Sequence, residues 1–394
     1  MPSKKIKVLF IAGWYPSAEK PAHGIFIREH AKVVAMHNDI VVLAYAGGSR
    51  SLNRLYQIDE KIENGIRTIS IKYRSWPIRP VSSGMSHLIY FWAVLVCFRR
   101  LIREGWRPDV IHAHVYFAGV PAVILGKIYG LPVIITEHFS GFHRRLIHGF
   151  KKLQVTFAFN RADLVCLVSN AMKEGIESYG IRTQIKVIPN VVDTALFSLK
   201  EQIISKKTGL LKKQILVVAD MSPVKGLQYL LKAVSELIKK RTDFVVNIIG
   251  DHSNKKGSDV SIIDDDLKKN ISFCGLKSKP EIAEFMQNCD FLILPSLFET
   301  FGVVLIEALS CGKPVIGPNI GGPREIIVSD VGRFFPPGNA NALAEITDYM
   351  LDHFQDFSPT TLVGYVQERY SYEAIGLLMD STYREITNRE RSNG

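Results

Sequence analysis

Leu294-Pro295-Ser296-Leu297-Phe298-Glu299-Thr300-Phe301-Gly302-Val303-Val304-Leu305-Ile306-Glu307-Ala308-Leu309-Ser310-Cys311-Gly312-Lys313-Pro314-Val315-Ile316 is the stretch whose reading decides the fold. It reads as the end of a buried strand (Phe291 to Leu294), a loop, a short helix from about Phe301 to Cys311, and a further strand from Pro314. Thr300 is placed to cap the helix, Gly312 stands where a left-handed C-cap is wanted, and Pro314 stops continuation. Gly302 falls in the first turn, where a missing side chain lets a ligand approach free N–H groups and the positive end of the helix dipole. Strand, anion-binding loop, helix and strand together are the repeating unit of an α/β, doubly wound sheet.

Two carboxylates frame this anion site. Glu299 precedes the helix and Glu307 lies about two turns along it. Phosphate repels a carboxylate, so both are suited to accepting hydrogen bonds from neutral hydroxyls on either side of a diphosphate. A ligand with sugar, diphosphate and ribose in a row fits, although either glutamate alone also reads as an ordinary helix-end or solvent-facing residue. The pair with seven residues between, with Phe301-Gly302 and Ala308 to Val315, closely resembles the signature of the family 4 retaining glycosyltransferases. The resemblance implies a GT-B fold, in which two Rossmann-like doubly wound domains face each other across a cleft.

Composition bounds the rest. The chain has 394 residues and 47% hydrophobic content, enough for two domains with cores of their own. Its five cysteines are scattered without a Cys-x-x-Cys pair, as expected of thiols in a reducing cytoplasm. The apolar run Ile6 to Ala12 is short and leads into Trp-Tyr-Pro, so no signal peptide is expected. Residues 1–200 carry 27 Lys+Arg against 13 Asp+Glu (+14), and residues 201–394 carry 22 against 25 (−3), which together give the net +11. A basic first half suggests a surface for anionic lipid, an anionic acceptor or nucleic acid. No nucleic-acid motif accompanies it, and its aromatics are not interleaved with basic residues for stacking, so no nucleic-acid partner is expected.

Taken in order, the first half alternates strands at Val8 to Ala12, Ile40 to Ala44, Arg67 to Ile71, Val110 to Ala113, Val133 to Thr136 and Leu164 to Val168 with helical stretches. Ligands bind beyond the carboxyl ends of such strands, which directs attention to Gly13 and Trp14, His112 and His114, and Glu137 and His138. No Gly-x-Gly-x-x-Gly or Walker pattern occurs there. Gly24 opens a helix and offers unobstructed N–H groups; its segment is similar to the family's first loop, where glycine backbone lies against the donor. His138, in Thr136-Glu137-His138-Phe139, matches the family's Thr-x-His segment and is suited to donating to a sugar hydroxyl or assisting proton movement near neutral pH. Leu88 to Phe98 is a run of eleven apolar residues followed by Arg99, Arg100 and Arg103. A bilayer span takes about 20 apolar residues, so this is a core helix or one that touches a membrane face. A second basic stretch runs from His143-Arg144-Arg145 to Lys151-Lys152.

Ser169-Asn170 and the segment from Lys186 to Phe197 resemble the family's closing of a first domain, 1–198. A lysine-rich linker is expected over 199–213. The second domain, 214–369, is expected to bind the nucleotide sugar, with strands at Ile215 to Ala219, Phe244 to Ile249, Ile271 to Cys274, Phe291 to Leu294, Val315 to Ile316 and Gly332 to Phe335. Lys225 resembles the lysine of the family's Gly-Arg-x-x-x-x-Lys-Gly segment and is suited to a departing diphosphate. Asp220 stands where the family usually has arginine, so Lys225 acts with the helix N-terminus alone or another cation such as Arg324 substitutes. By resemblance Gly275 and Leu276 lie beside the base, Glu299, Phe301, Gly302 and Val303 along the sugar and diphosphate, and Glu307 at the ribose. His138, Glu299 and Lys225 carry the chemistry. Gly321 to Glu325 and Phe335 to Asn339 complete the match.

Asp264-Asp265-Asp266 contains an Asp-x-Asp but reads as a solvated helix start. No carboxylate or His/Cys cluster has metal-ligand spacing, so neither metal nor other cofactor is expected. The final segment, 370–394, is helical from Tyr370 to Asn388, and in the family such a helix crosses back to the first domain. The expectation is a cytoplasmic hexosyltransferase, possible partners being a UDP- or GDP-linked sugar, a glycan or lipid-linked acceptor and an anionic membrane surface at the inner face. The rivals are a sugar-nucleotide epimerase or hydrolase of the same fold and a non-catalytic basic binding module.

Overall fold

The structure is a computed structural model that describes residues 4–17, 20, 23–49, 52–74, 81–142, 144–200, 212–251 and 265–393. The chain divides into two compact units: unit 1 comprises Met1–Asn190 with Ile375–Gly394, and unit 2 comprises Val191–Ala374. The linker expected over 199–213 falls, for 201–211, outside the described residues. Segment 191–198 falls in unit 2. Its backbone is tied there: Val192 N–H donates to Tyr370 C=O at 3.0 Å, and Gln287 donates to the Ser198 carbonyl at 3.2 Å.

Unit 1 is built on β1 (Lys7–Ala12), β2 (Asp39–Ser49), β3 (Tyr56–Glu63), β4 (Ile66–Arg74), β5 (Val110–His114), β6 (Val133–Glu137), β7 (Leu164–Leu167) and β8 (Ile185–Val187), ordered β3-β4-β2-β1-β5-β6-β7-β8. Its helices are α1 (Ile25–His37), α2 (Val81–Arg103), α3 (Tyr116–Tyr129), α4 (Phe150–Phe159) and α5 (Ala171–Glu177). All strand pairs are parallel except β3 with β4. Strands β5, β6 and β7 are buried along their whole length, as expected of a parallel sheet covered on both faces. The sequence reading omitted β3 and β8. The first is an exposed antiparallel edge strand whose charged residues break any apolar run, and the second has only three residues.

Unit 2 carries β9 (Lys213–Val218), β10 (Phe244–Ile249), β11 (Ile271–Gly275), β12 (Phe291–Ile293), β13 (Val315–Pro318) and β14 (Gly332–Phe335), ordered β11-β10-β9-β12-β13-β14 and wholly parallel. Its helices are α6 (Leu227–Leu237), α7 (Asp265–Lys268), α8 (Lys279–Asn288), α9 (Val303–Ser310), α10 (Pro323–Ile326), α11 (Ala340–His353) and α12 (Pro359–Tyr370). The terminal helix α13 (Tyr372–Asn393) begins two residues later than expected, because Ser371 is extended and ends α12. Both sheets have a doubly wound core. Their strand order reverses between β1 and β5 in unit 1 and between β9 and β12 in unit 2, and ligand crevices form at the carboxyl side of such switch points.

Helix α9 spans Val303–Ser310 rather than Phe301 to Cys311, and Thr300 is not its cap. Gly302 takes the N-cap position with φ 91°, a left-handed conformation that a threonine avoids, while Gly312 closes the other end at φ 71°.

Candidate functional site

In unit 2 the two loops that leave the switch-point strands meet. The loop after β9 carries Asp220 to Gly226 and the loop after β12 carries Pro295 to Gly302. Lys225 closes a 3₁₀ turn, Pro223–Lys225, ahead of α6 rather than lying in the helix. Gly226 must be glycine here: its φ is +71° and a Cβ would stand 2.0 Å from the Pro295 carbonyl oxygen. Leu297 N–H donates to the Val224 carbonyl at 2.8 Å, which closes one loop on the other.

The Lys225 ammonium donates to Glu299 Oε1 at 2.5 Å, and Ser296 Oγ donates to the same oxygen at 3.0 Å. Burial works against the charged amine, but Glu299 and then Asp220 outweigh it, so the Lys225 pKa lies above the ordinary lysine value. Asp220 occupies its carboxylate locally, accepting from Ser222 N–H at 2.8 Å and from the Ser222 hydroxyl. Glu299 continues the frame, since its carbonyl accepts from Gly322 N–H at 3.1 Å just before α10 and exposed Arg324.

Phe301 is buried against Tyr370, with ring centroids 5.7 Å apart. The first intrahelical bond of α9 runs from Leu305 N–H to Gly302 C=O at 3.0 Å, so the N–H of Val303 belongs to the orphan donors of the first turn. Glu307 is buried on α9 rather than solvent-facing. Gly275 ends β11 at φ 69°, and Leu276 stands exposed beyond it. Unit 2 therefore offers a cation, a helix N-terminus and hydroxyl-accepting carboxylates at one sheet edge, a set suited to a diphosphate flanked by sugars.

Unit 1 presents a different chemistry at its sheet edge. His112-x-His114 on β5 and Thr136-x-His138 at the end of β6 share one face because side chains alternate. His112 bonds Tyr383 Oη through Nδ1 and Thr136 Oγ1 through Nε2, both at 2.7 Å. His114 Nδ1 lies 3.2 Å from His138 Nε2, and from α1 His30 Nε2 meets the Pro189 carbonyl at 3.1 Å. Nitrogens of His30, His114 and His138 lie within 4.8 Å of one another, close enough to hold a metal ion among the described residues. The sequence reading missed this group, because His30 is 84 residues from His114 and only topology joins them.

Burial pushes all four imidazoles down: His30 to about 4, His112 to about 3, and His114 and His138 well below the usual value, with neighbouring imidazoles adding to the effect for the last three. His138 is thus a neutral ring. Desolvation favours the uncharged ring, which keeps its capacity for hydrogen bonding. Its Nδ1 is buried without a partner among the described residues.

Glu137, fully buried, positions His138. Its carboxylate accepts from the N–H groups of His138 and Phe139 at 2.8 Å and of Tyr116, at the start of α3, at 2.9 Å. Burial raises it to about 7 against the pull of those donors. Next to it Val115 adopts φ 73°, a strained value for a β-branched residue. Gly24 caps α1 at φ 70°, and a Cβ would stand 2.6 Å from the Trp14 carbonyl carbon. Close packing of its own loop, in addition to any ligand, thus requires the glycine. Trp14 and Phe26 complete the rim, the latter 4.5 Å from the His138 ring.

Two doubly wound units of mainly parallel strands define the class of the fold as GT-B. The Glycosyltransferase Family 4 model matches residues 25–196, and the Glycosyl transferases group 1 model matches residues 200–353. The chain belongs to family 4 of the glycosyltransferases. It is 27% identical to the glycogen synthase of Mycobacterium tuberculosis over 262 residues, which is 63% of this chain and 61%, less than two thirds, of that relative. Sucrose-phosphate synthase from Thermosynechococcus elongatus shares the fold with a TM-score of 0.76 at 18% identity, covering 98% of this chain and 100% of that one. Anabaena HepE in complex with UDP does so with a TM-score of 0.70 at 21% identity, covering 96% and 100%.

Proposed function

We propose that the enzyme transfers a hexose, with retention, from a UDP- or GDP-linked sugar to a glycan or lipid-linked acceptor. It does so without a metal or other cofactor, in cell-surface polysaccharide or glycolipid synthesis at the cytoplasmic face of the membrane. The observation that carries this reading is the Lys225–Glu299 pair beside the N-terminus of α9. A donor diphosphate competes for the Lys225 amine, which leaves Glu299 to accept from sugar hydroxyls, while Glu307 serves the ribose and Gly275 and Leu276 border the base. As the anomeric bond breaks, negative charge grows on the leaving diphosphate, and Lys225 with the first-turn N–H groups of α9 stabilises it. From unit 1, Gly24 contributes backbone N–H groups for the donor, and His138 hydrogen-bonds a hydroxyl of the sugar or acceptor. The UDP held by HepE supports the uridine donor.

The test is nucleoside diphosphate release from a panel of UDP-, GDP- and ADP-sugars with lipid-linked and soluble glycan acceptors, with and without a chelator. Release that survives chelation and is lost in Glu299→Gln supports the reading. Donor turnover without glycosylated product would replace it with hydrolysis or epimerisation, and loss on chelation would overturn metal independence.

A further inference from the structure

We infer that the exposed face formed by Met85, Leu88 and Trp92 of α2 and the start of α4 is a docking surface for an anionic phospholipid bilayer. The inference rests on the proposed lipid-linked acceptor and specifies where the membrane meets the protein. Helix α2 is two-sided. Tyr90, Ala93, Val94, Cys97, Phe98 and Leu101, at helical spacing, are buried in the unit 1 core. The opposite stripe starts apolar and turns basic: Met85, Leu88 and Trp92 are 45%, 65% and 53% exposed, and exposed Arg99 and Arg103 follow on the same side. A soluble face at those positions would be polar.

The second part of the surface is the stretch leading into α4. Ile147 is buried and anchors it, while Leu146, Phe150 and Leu153 are 46%, 61% and 65% exposed. Arg144, Arg145, Lys151 and Lys152 stand exposed between them. The two parts adjoin, since His87 of α2 lies 6.3 Å from the Phe150 ring. The charge is of one sign along both stretches themselves, while at the far end of α2 Glu60 and Glu104 pair with Arg100. No Asp or Glu occurs from 64 to 103 or from 138 to 162, the two stretches that supply it. Apolar side chains interspersed with lysine and arginine, with no carboxylate within the two stretches that supply them, match a headgroup layer over acyl chains. A nucleic acid would leave the tryptophan, leucines and phenylalanine unused.

Among the described residues no helix is long and apolar enough to cross a membrane, so the contact is interfacial. Placement adds the functional sense. In a parallel sheet the helix after a strand starts at that strand's carboxyl end, so the first turns of α2 and α4 lie at the rim that also bears His138. An acceptor anchored in the bilayer is thereby presented on the side of unit 1 where the chemistry occurs.

Flotation of the full chain with vesicles of phosphatidylcholine and phosphatidylglycerol, against phosphatidylcholine alone, tests the inference. The parent floats with the anionic vesicles, and salt weakens the binding without abolishing it. Arg144→Glu/Arg145→Glu/Lys151→Glu/Lys152→Glu lowers the bound fraction about tenfold or more, and Leu88→Ser/Trp92→Ser/Phe150→Ser removes the salt-resistant part. Unchanged thermal midpoints in both variants show that the fold is kept. Equal binding to neutral vesicles, variants that float like the parent, or self-association abolished by the same variants would each overturn the assignment. Flotation needs neither donor nor acceptor, so its failure is separable from failure of the transferase reading.

Discussion

The two sheets share one doubly wound strand order at their centres, yet they treat polar groups at their carboxyl ends in opposite ways. Unit 1 buries four neutral imidazoles and a carboxylate that faces only backbone donors. Unit 2 keeps a charged pair, Lys225 with Glu299, in which the lysine side chain is 29% exposed. Topology selects which loops meet, and the residues on those loops decide between a rigid desolvated network and a charge ready for a ligand. In unit 1, removing a polar partner strands a buried group and costs stability. In unit 2, removing the partner of an accessible charge costs binding and rate instead.

Lys225→Ala is the sharpest way to break this contrast. Loss of the cation facing the leaving diphosphate is expected to lower kcat about 10²–10³-fold while moving stability by less than about 1 kcal/mol. A large drop in the unfolding midpoint with little change in rate would show that the pair is structural. The converse is expected of Glu137→Ala. Three backbone N–H groups lose their acceptor, two of them from residues buried in the unit 1 core, and destabilisation of about 3 kcal/mol follows. Hydrogen exchange at His138, Phe139 and Tyr116 should accelerate before the rest of unit 1. If these amides stay protected, Glu137 does not hold the loop.

Most of the second sheet was legible because most of its strands are apolar runs bounded by turns, and Gly302 and Gly312 marked where the chain bends. The anion site was legible for the same reason: its parts lie on short loops next to strands. The histidine network was legible only in part. The alternation in His112-x-His114 and Thr136-x-His138 puts four side chains on one face, a signal present in the sequence, but only the strand order reveals that β5 and β6 are neighbours. His30 carried no local signal at all. Lys225 shows the remaining limit, since its pairing with Glu299 depends on strands β9 and β12 being adjacent although 72 residues separate Val218 from Phe291.

Acid should separate the units next. The folded pKa values of His30 and His112, about 4 and about 3, lie below the unperturbed 6.5, so below pH 6.5 the unfolded chain binds more protons than the folded one. This contribution to unit 1 is fully present above pH 6.5 and is lost as pH falls toward 4 and then 3, by about 1.4 kcal/mol per pH unit for each histidine. Among the described residues of unit 2 the one histidine, His353, has 46% of its side chain exposed. Glu137, raised to about 7 by burial, gains its proton in the folded chain over the same range and offsets one histidine, so exchange protection measured at pH 7 and pH 5 should fall in unit 1 first by the surplus of the remaining imidazoles. Equal loss in both units would refute the contrast.

The smallest expected effect tests how the terminal helix is held within unit 1. Tyr383 is fully buried, and with its phenol donating to His112 Nδ1 the ring proton sits on Nε2, facing Thr136 Oγ1. Tyr383→Phe keeps the ring and its packing but removes one bond and leaves Nδ1 stranded, a cost of about 1 kcal/mol. Thr136→Val acts on the other side of the same imidazole. Because both changes work through His112, their combined cost should differ from the sum by at least about 0.5 kcal/mol, the coupling expected of residues in one network. Strict additivity in denaturant unfolding would mean that the two bonds are independent, and that His112 is packed between β5 and the last helix without transmitting anything from one to the other.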